Sequence, residues 1–571
     1  MAAITAILGA AFTIAVSLAL GSLLLGWLKL EFCRQEGALL AFVSGSACVS
    51  LAVFGLCVIH QATLPVFLAG GTAAIGAALW KVRGRPRGKP LPVLPRAWAV
   101  LFAVIYLAFF ACYFINALAP EISPDGSGYH LGNVARDWRH HGFEWDYHSI
   151  YSSLGQGMEM LFLVAFSIGR HPAASMVHMA FQAVLPLLMV CYGRRCGFPR
   201  VAAFAGLLVY VCPVAGIAGV SAYNDLAVAT ATFAGFYLIE VNYSQLGTKA
   251  LFLCGLLSGY SYAIKYTAWL TLPFAAVLTR GRRPWALCLG AAAMAGPWMV
   301  RNWIWLGNPA APFLNSWFPN PYWSASAEHQ YLAGLREYPK FKSYWDFISQ
   351  ITVLGGLVPG MIGPAFLLLP LSLLALRHPH GRKLLLAGAV YAIPVFFNTD
   401  VRFMIPALPF FALALGLAME NSRGMLPLVA LFQSFLCWPA VMDTYCDRNA
   451  WRVRGFPIGA GSEYIASHVG DYALKDDIER AVGPNQRIFS FAGRAAAYID
   501  RDIVVGYESS QGIRIQDALL KGSVLEAKSQ GCDFLLVNDA DAIADNINQN
   551  MKSWRVTEVA KANETTLYRL D

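Results

Sequence analysis

A polar segment between two strongly apolar stretches carries residue types that could do chemistry. It runs from Ser123 to His130, directly after the apolar run 97–118, and it contains Asp125 and Tyr129. A carboxylate in a turn beside a membrane surface has a setting in which it can work as a general base. The alternative is a solvated turn aspartate, since Asp is a common turn residue. The segment makes Asp125 a candidate base, and His130 could be a ligand, a base or a partner to Asp125.

A second acidic residue, Asp225, stands at the start of another apolar run. It follows Tyr223 and Asn224 and precedes Leu226. Its side chain could cap the helix that begins there. Asn224 could serve as that cap instead, which would leave Asp225 to face a cavity. Because ionisable residues at a membrane boundary are candidates for function, Asp225 is a candidate catalytic residue and Asn224 a candidate binding residue.

Three cations interrupt apolar runs elsewhere in the chain. Lys265 separates two such runs, Arg301 precedes Asn302 near the end of another, and Arg402 precedes a further one. Each could simply extend to the lipid headgroups. Arginine also suits phosphate, because its planar fork binds two oxygens at once. Carboxylates and phosphate-binding cations at one membrane face would imply chemistry on a phosphorylated lipid.

The composition indicates what kind of protein must position these residues. Of the 571 residues, 57% are hydrophobic and 13% are charged, whereas a soluble domain has about 25% charged residues. The chain is therefore expected to be a polytopic membrane protein that is mostly α-helical. The net charge of +9 falls mostly in short loops between apolar runs. It therefore indicates topology and contact with membrane lipids, and we expect no nucleic-acid partner.

Apolar length and basic loops together predict the topology. Because a span needs about 20 apolar residues, the sequence supports about 12–14 transmembrane helices. Putting the basic loops in the cytoplasm is consistent only if 155–169 and 345–356 do not cross the membrane. We expect both segments to lie as helices on the outer face. The loop with Asp125 then lies outside, as do the 307–346 loop and the tail after Asp443. The basic loops are Lys29/Arg34, Lys81/Arg83/Arg85/Arg87/Lys89, Arg194/Arg195/Arg200, Arg280/Arg282/Arg283, Arg377/Arg382/Lys383 and Arg423.

The C-terminal part has a different pattern. Apolar and polar residues alternate in 487–491 and 502–506, the period expected of strands. Helical spacing over 515–528 is followed by an apolar run at 532–537, and a closing pair of strands is expected around 556–559 and 566–570. The pattern predicts a small α/β domain. It contains no phosphate-binding glycine loop, nucleophile elbow or zinc spacing.

The order of the polar motifs resembles a known family. The segment Pro124–His130 is followed by Ala135-Arg136-Asp137-Trp138, then Ser221–Leu226, Lys265-Tyr266-Thr267, Arg301-Asn302-Trp303 and Val401-Arg402-Phe403. This series is similar to that of the GT-C-type membrane glycosyltransferases, and more narrowly to the bacterial glycosyltransferase 39 and aminoarabinose-transferase (ArnT-like) group. The similarity covers roughly 97–420.

The resemblance implies both a fold and an activity. It implies a GT-C fold and an inverting transferase. The donor would be a polyprenyl-phosphate-linked sugar, and the acceptor a lipid, a glycan or a protein on the extracytoplasmic face of the inner membrane. It also implies that the acid of the first outer loop, here Asp125, is catalytic. Some members carry an Asp-Glu pair in that loop, whereas Gly126 follows Asp125 in this sequence.

These implications assign roles to the candidate residues. Asp125 would act as the base, while His130 and Asp225 would complete the catalytic set. The substrate-binding candidates are Tyr129, Asn224, Lys265, Arg301, Asn302 and Arg402. We expect no cofactor and assign no metal ligands, although a divalent cation held by Asp225 is an open alternative. The histidines at 140, 141 and 148 are too irregularly spaced to predict a metal site.

The sequence divides into three expected parts. Residues 1–96 would form accessory transmembrane helices, and 97–444 the catalytic core with outer loops at 119–172 and 307–357. Residues 445–571 would form the extracytoplasmic α/β domain. Two other function classes remain open, namely a transporter or flippase and a non-enzymatic protein of envelope polysaccharide assembly. The absence of an internal repeat disfavours the transporter.

Overall fold

The structure is a computed structural model. It describes residues 2–82, 88–241, 246–337, 341–356, 360–422, 424–448, 460–491, 493, 495–541 and 543–571. Of the predicted basic loops, Arg83, Arg85, Arg87 and Arg423 lie outside these ranges. The chain forms two compact units. The membrane unit comprises Met1–Ala119, Gly155–Pro297 and Leu335–Arg452, and the loop unit comprises Pro120–Leu154, Trp298–Gly334 and Val453–Asp571.

Helices make up the membrane unit. They are α1 Ala2–Trp27, α2 Arg34–Val58, α3 Leu64–Val82, α4 Arg96–Ala117, α6 Glu159–Cys196, α7 Pro199–Tyr210, α8 Pro213–Gly219, α9 Asp225–Val241, α10 Thr248–Ile264, α11 Thr271–Leu278, α14 Tyr344–Ser349, α15 Pro379–Ala392, α16 Leu408–Ala418 and α17 Met425–Arg448. Shorter 3-10 stretches lie at Tyr266–Leu270, Pro364–Arg377, Ile393–Phe396 and Val401–Met404, and a π turn lies at Gln350–Leu354.

The loop unit combines helices with a sheet. Its helices are α5 Leu131–His140, α18 Ala460–His468, α19 Lys475–Ala481, α20 Ser510–Leu520, α21 Leu525–Ser529 and α22 Ala544–Trp554, and its strands are β1 Arg487–Ser490, β2 Asp502–Val505, β3 Cys532–Asn538, β4 Val556–Ala562 and β5 Thr565–Leu570. Helices α12 Pro284–Leu306 and α13 Ala325–Glu337 each contribute to both units. The loop unit also contains a π turn at Gly126–His130 and 3-10 stretches at Ile150–Ser153 and Gly470–Leu474.

Close helix contacts in the membrane unit depend on small residues. Helices α1 and α2 approach so closely that a Cβ at Gly21 would lie 1.8 Å from the carbonyl oxygen of Ala41. In the same crossing, a Cβ at Gly45 would lie 1.7 Å from the carbonyl oxygen of Ser17. Small residues let transmembrane helices approach to backbone contact, and dispersion then stabilises the pair. The two glycines thus fix how the first two helices pack.

Several helices are long and apolar enough to cross a membrane. Among the described residues, 5 helices pass by length and composition, and a bent pair of helices raises the number to 6. They are α1, α2, α3, α4 and α6, with α7 and α8 as the bent pair. Shorter apolar helices lie around 266–278, 364–377, 408–418 and 425–439. The chain is a multi-pass membrane protein that is mostly helical, as the composition predicted.

The structure corrects the expectation for 155–169. We expected this segment to lie on the outer face, but the residues from Met158 to Phe166 are all buried within the membrane unit. The helix breaks at Arg170, where φ is 60° and ψ is −153°, before it continues to Cys196. A separate helical segment is therefore present, but its side chains pack on other helices. The stretch from Met160 to Phe166 is wholly apolar, which favours burial over contact with headgroups or water.

The second segment expected on a surface, 345–356, fits its prediction better. Helix α14 and the π turn after it expose several large apolar side chains. Tyr344 is 89% exposed, Trp345 80% and Leu354 63%. Exposed aromatic rings of this kind suit the boundary between lipid and water.

The sheet of the loop unit has the order β2-β1-β3-β5-β4. Strand β1 pairs in parallel with β2 and β3, while β5 runs antiparallel to β3 and β4. One face packs on Ile515 and Leu519 of α20, and the other on Ile478 of α19. The predicted strands and the α/β character of the C-terminal part are confirmed, and this part forms one compact unit with Pro120–Leu154 and Trp298–Gly334. The predicted helix over 515–528 is divided into α20 and α21.

Candidate functional site

Asp125 begins a compact turn in the loop unit. The π turn Gly126–His130 follows it directly. The hydroxyl of Ser127 donates to the carbonyl of Ser123 at 2.7 Å, and the backbone N–H of Ser123 donates to the Glu121 carboxylate at 2.7 Å. The side chain of Asp125 is half-buried. These hydrogen bonds fix the backbone that carries the Asp125 carboxylate.

Glu121 also explains why Gly126 follows Asp125. A Cβ at position 126 would lie 2.7 Å from the carboxyl carbon of Glu121, so an acid beside Asp125 would collide with it. Glu121 is 1% exposed, and it is a second acid in this turn that the sequence analysis missed. The only signal was its place four residues before Asp125.

The predicted residues Tyr129 and His130 lie in the same turn. The Tyr129 ring stacks on Tyr151 with centroids 4.0 Å apart, and its centroid is 4.2 Å from that of the buried His130. Asn133 donates to the carbonyl of Tyr151 at 3.5 Å. The turn is therefore packed against the 3-10 stretch Ile150–Ser153.

Arg301 and Asn302 hold the end of the same loop. Arg301 Nη2 donates to the carbonyls of Ser152 at 2.9 Å and Leu154 at 3.0 Å, and Asn302 Nδ2 donates to that of Ser153 at 2.6 Å. The guanidinium carbon lies 4.6 Å from the ring of Trp298. Because Arg301 is only 5% exposed, these contacts show it as an anchor of the loop backbone.

A further carboxylate contacts this segment from the C-terminal domain. The Ser149 hydroxyl donates to Glu508 Oε2, and the Ile150 N–H donates to the Glu508 carbonyl at 2.8 Å. Glu508 is buried, and desolvation raises the pKa of its carboxyl to about 8, an effect to which the negative charges of Asp146 and Asp125 add. Glu508 is therefore mostly protonated at neutral pH. No sequence motif marks it.

This buried acid predicts a pH dependence of stability. Its pKa is raised in the folded chain, so the unfolded chain loses its proton first and stability falls as pH rises from about 4.5 to about 8. One pKa unit is worth about 1.4 kcal/mol, so the effect is expected to reach several kcal/mol. The Glu508→Gln variant should therefore be close to wild type at pH 5 and more heat-stable than wild type at pH 8. Thermal unfolding of the purified chain in detergent measures this.

The control for Glu508→Gln is Glu526→Gln. Glu526 lies in the same domain, and its side chain is 31% exposed beside Arg514. Its replacement should not change how the unfolding temperature depends on pH. Curves for Glu508→Gln and wild type that stay parallel from pH 5 to pH 8 would show that Glu508 is not protonated in the folded chain.

The membrane unit gathers the other predicted residues. Lys265 Nζ lies 2.5 Å from Asp225 Oδ1, and Asp225 is 2% exposed. The other carboxylate oxygen, Oδ2, is buried and accepts no hydrogen bond from the described part of the chain. Lys265 follows Ile264, the last residue of α10. Its backbone is extended and joins α10 to the 3-10 stretch Tyr266–Leu270. A buried carboxylate with one open oxygen can accept a further donor.

Arg402 lies beside this pair. Its guanidinium carbon is 4.7 Å from the ring centre of Tyr223, and its Nε donates to Asp400 Oδ2 at 3.0 Å. The Lys265 ammonium is 4.5 Å from the ring centre of Phe403, the residue after Arg402. Arg402 also interacts electrostatically with Asp225. The two cations are thus held near one buried carboxylate.

The start of α9 is fixed by residues that the sequence analysis did not use. The N–H of Leu226 donates to His178 Nε2 at 3.1 Å, so the proton of this ring lies on Nδ1, 2.9 Å from the Ser221 carbonyl. The predicted Asn224 donates to the carbonyl of Ile264 at 3.0 Å. Asn224 therefore links the start of α9 to the end of α10, where Lys265 stands.

Each unit holds part of the predicted set. Asn224, Asp225, Lys265 and Arg402 come together in the membrane unit. In the loop unit, Asp125, Tyr129 and His130 share one turn, whereas Arg301 and Asn302 contact the 152–154 backbone. Within the described ranges, no group of three or more His, Cys, Asp or Glu side chains could hold a metal ion.

Comparisons with known proteins find similar solved structures. No protein-family model matches it, and no curated protein matches it significantly. ArnT from Cupriavidus metallidurans is 14% identical in the apo state, with 83% of this chain and 98% of that chain covered and a TM-score of 0.49. ArnT from the same organism bound to undecaprenyl phosphate is 15% identical, with 84% of this chain and 99% of that chain covered and a TM-score of 0.49. A third structure is the archaeal oligosaccharyltransferase AglB from Archaeoglobus fulgidus, in complex with an inhibitory peptide and a dolichol-phosphate. It is 11% identical, with 78% of this chain and 69% of that chain covered and a TM-score of 0.47.

Proposed function

We propose that the chain is a membrane glycosyltransferase. It would move a sugar from a polyprenyl-phosphate-linked donor to a lipid, glycan or protein acceptor on the extracytoplasmic face, with inversion at the anomeric carbon. The observation that carries this proposal is the grouping of Lys265 and Arg402 around the buried Asp225. Two cations at the boundary of an apolar helix suit the phosphate of a lipid carrier.

In this mechanism the leaving group is the polyprenyl phosphate. Its negative charge grows as the bond to the sugar breaks, and fixed cations stabilise that charge. Arg402 would bind phosphate oxygens through its fork, and Lys265 would add a second positive charge. Asp225 acts as a positioning residue, because it holds the ammonium of Lys265. Asn224 supports the same arrangement through its bond to Ile264.

Asp125 would act as the general base. The acceptor hydroxyl or amine must lose a proton as it attacks the anomeric carbon, and a positioned carboxylate takes that proton. A single displacement inverts the configuration and needs no second carboxylate as nucleophile. Tyr129 and His130 would contact substrate or Asp125 from the same turn. Arg301 and Asn302 would act by holding the 152–154 backbone. This backbone directly follows Tyr151, on whose ring Tyr129 stacks.

A transporter and a non-enzymatic assembly protein are the rival classes. A transporter needs a site near the middle of the membrane, whereas Asp125 lies in a polar turn outside the apolar helices. An assembly protein would need no base at Asp125. A change of that carboxylate to an amide therefore separates the transferase from both rival classes.

Sidedness is the first test, because a lipid-linked sugar donor of this kind is used outside the cytoplasm. His140→Cys and Ser462→Cys place thiols at exposed positions in the first loop and in the C-terminal domain. The background protein has the exposed Cys288 and the other reactive cysteines replaced. A membrane-impermeant thiol reagent added to intact spheroplasts should label both variants and leave Lys89→Cys unlabelled. Labelling of Lys89→Cys with protection of the other two would invert the topology and reject the mechanism.

A further inference from the structure

The loop unit contains a polar cavity that the reaction described above does not use. Its volume is 660 Å³, and it lies between α5, the loop 144–148 and the first residues of β1 and β2. We call it the α5 cavity. Volumes of about 300–1,000 Å³ are usual for sites that bind small molecules. Neither Asp125 nor His130 lines it.

The charges in the α5 cavity are matched. Arg136 pairs with Asp146 at 2.6 Å and Arg139 pairs with Asp500 at 2.8 Å. A third arginine at the cavity, Arg487, pairs with Asp502 at 3.1 Å, and a fourth, Arg501, donates to the carbonyls of Val482, Asp500 and Glu479. With Glu144, which also lines the cavity, four carboxylates balance the four guanidiniums, so the lining carries no net charge. The lining therefore favours a neutral ligand.

Matched pairs of this kind suit neighbouring hydroxyl groups. A guanidinium donates hydrogen bonds, and the carboxylate beside it accepts them. A hydroxyl both donates and accepts, so adjacent hydroxyls can bond to the two members of one pair. Arg139 and Asp500 are accessible for this, because their side chains are 31% and 60% exposed. Asn485, an exposed residue in the lining, adds an amide that can do both.

Aromatic rings form another part of the wall. Trp145 and Tyr147 both line the cavity, with ring centroids 5.8 Å apart. The Tyr147 hydroxyl accepts a hydrogen bond from Arg487 Nη2 at 2.8 Å, and the Trp145 ring packs edge-on against Tyr322. The negative face of an aromatic ring attracts the C–H groups of a sugar ring. Polar pairs beside fixed aromatic rings are the two features that a sugar requires, since one side of it is polar and the other is apolar.

We propose that the α5 cavity binds a neutral oligosaccharide, the glycan portion of the acceptor. The inference rests on the proposed function, and it names the class of acceptor that this function leaves open. Because the cavity is separate from Asp125, it would hold sugar residues distant from the reacting group. Loss of its contacts should therefore weaken acceptor binding without removing the base.

A glycan array tests the proposal without any donor. The full chain in lipid nanodiscs would be applied to printed oligomers of glucose, galactose, mannose and N-acetylglucosamine, with phosphorylated and uronic-acid oligosaccharides alongside. Wild type should bind at least one neutral oligosaccharide. Arg139→Ala and Asn485→Ala should each weaken that binding about 10-fold, the effect of losing one charged or strong hydrogen bond. Arg514→Ala removes another paired arginine of the same domain, outside the cavity, and should bind like wild type.

Three results would overturn the proposal: no binding to any neutral oligosaccharide, binding only to the anionic ones, or equal binding by wild type and both cavity variants. Asn485→Ala keeps the test valid if Arg139→Ala fails to fold, because Asn485 is exposed and lies in a loop. Since no donor is present, array binding does not depend on catalysis. A chain that binds neutral glycans but transfers no sugar would reject the proposed function and leave the α5 cavity as a saccharide site.

Discussion

Asp125→Asn is expected to reduce sugar transfer by about 100- to 10,000-fold, the usual contribution of a general base. The amide keeps the size and polarity of the side chain but cannot take the acceptor proton. The turn itself should persist, because its bonds run through Ser123, Ser127 and Glu121. The measurement is the recovery of the envelope sugar that a deletion strain loses, with the variant expressed at the level of the wild type.

The matched control for this variant is Asp539→Asn. Asp539 is an exposed aspartate that pairs with Lys561, in a part of the loop unit far along the chain from the turn. Its replacement should restore the sugar as well as wild type does. Full restoration by Asp125→Asn would show that Asp125 is a solvated turn residue, and it would return the assembly protein as the better interpretation.

Arg402→Lys has the second large expected effect. The charge remains, but an ammonium cannot reproduce the two parallel bonds of a guanidinium to a phosphate. The loss of one contact of this kind to a developing charge costs on the order of 100-fold in rate. Lysine would also lose the packing of the planar guanidinium on the Tyr223 ring, whose centre is 4.7 Å away. Transfer rates at saturating donor would show a fall in turnover.

The same exchange at Arg377 supplies the control. Arg377 is an exposed arginine of the membrane unit, and Arg377→Lys should leave transfer unchanged. Turnover in Arg402→Lys that matches wild type would mean that Arg402 only reaches towards the lipid headgroups. The proposed phosphate site would then be reduced to Lys265.

Composition and period predicted most of the architecture. The apolar runs became helices, and the alternating pattern near 487–491 and 502–506 became β1 and β2. These predictions succeeded because apolar length and alternation are local properties of the sequence. The expected surface position of 155–169 was wrong, because helix formation depends on the local sequence whereas the environment of a helix does not. Burial against other helices depends on packing that a single sequence does not reveal.

The same contrast between local sequence and long-range packing applies to the candidate site. The sequence placed Asp225 and Lys265 as candidates, but their contact joins residues 40 positions apart. Glu508 lies 359 positions from its partner Ser149, and no motif surrounds it. Arg301 had the residue type of a phosphate ligand, yet its contacts are carbonyl oxygens of the 152–154 backbone. Residue type suggested chemistry, and only the fold revealed which partners each side chain has.

The central claim is that the chain uses a polyprenyl-phosphate-linked sugar. Native mass spectrometry of Asp125→Asn, purified gently from the membranes of its own host, tests this most directly. Binding should survive in this variant while turnover is blocked, so the account predicts a bound species with the mass of a polyprenyl phosphate plus a sugar. In the double variant Asp125→Asn/Arg402→Ala that species should be strongly depleted. The absence of any such lipid from Asp125→Asn, or its equal retention by the double variant, would contradict the account.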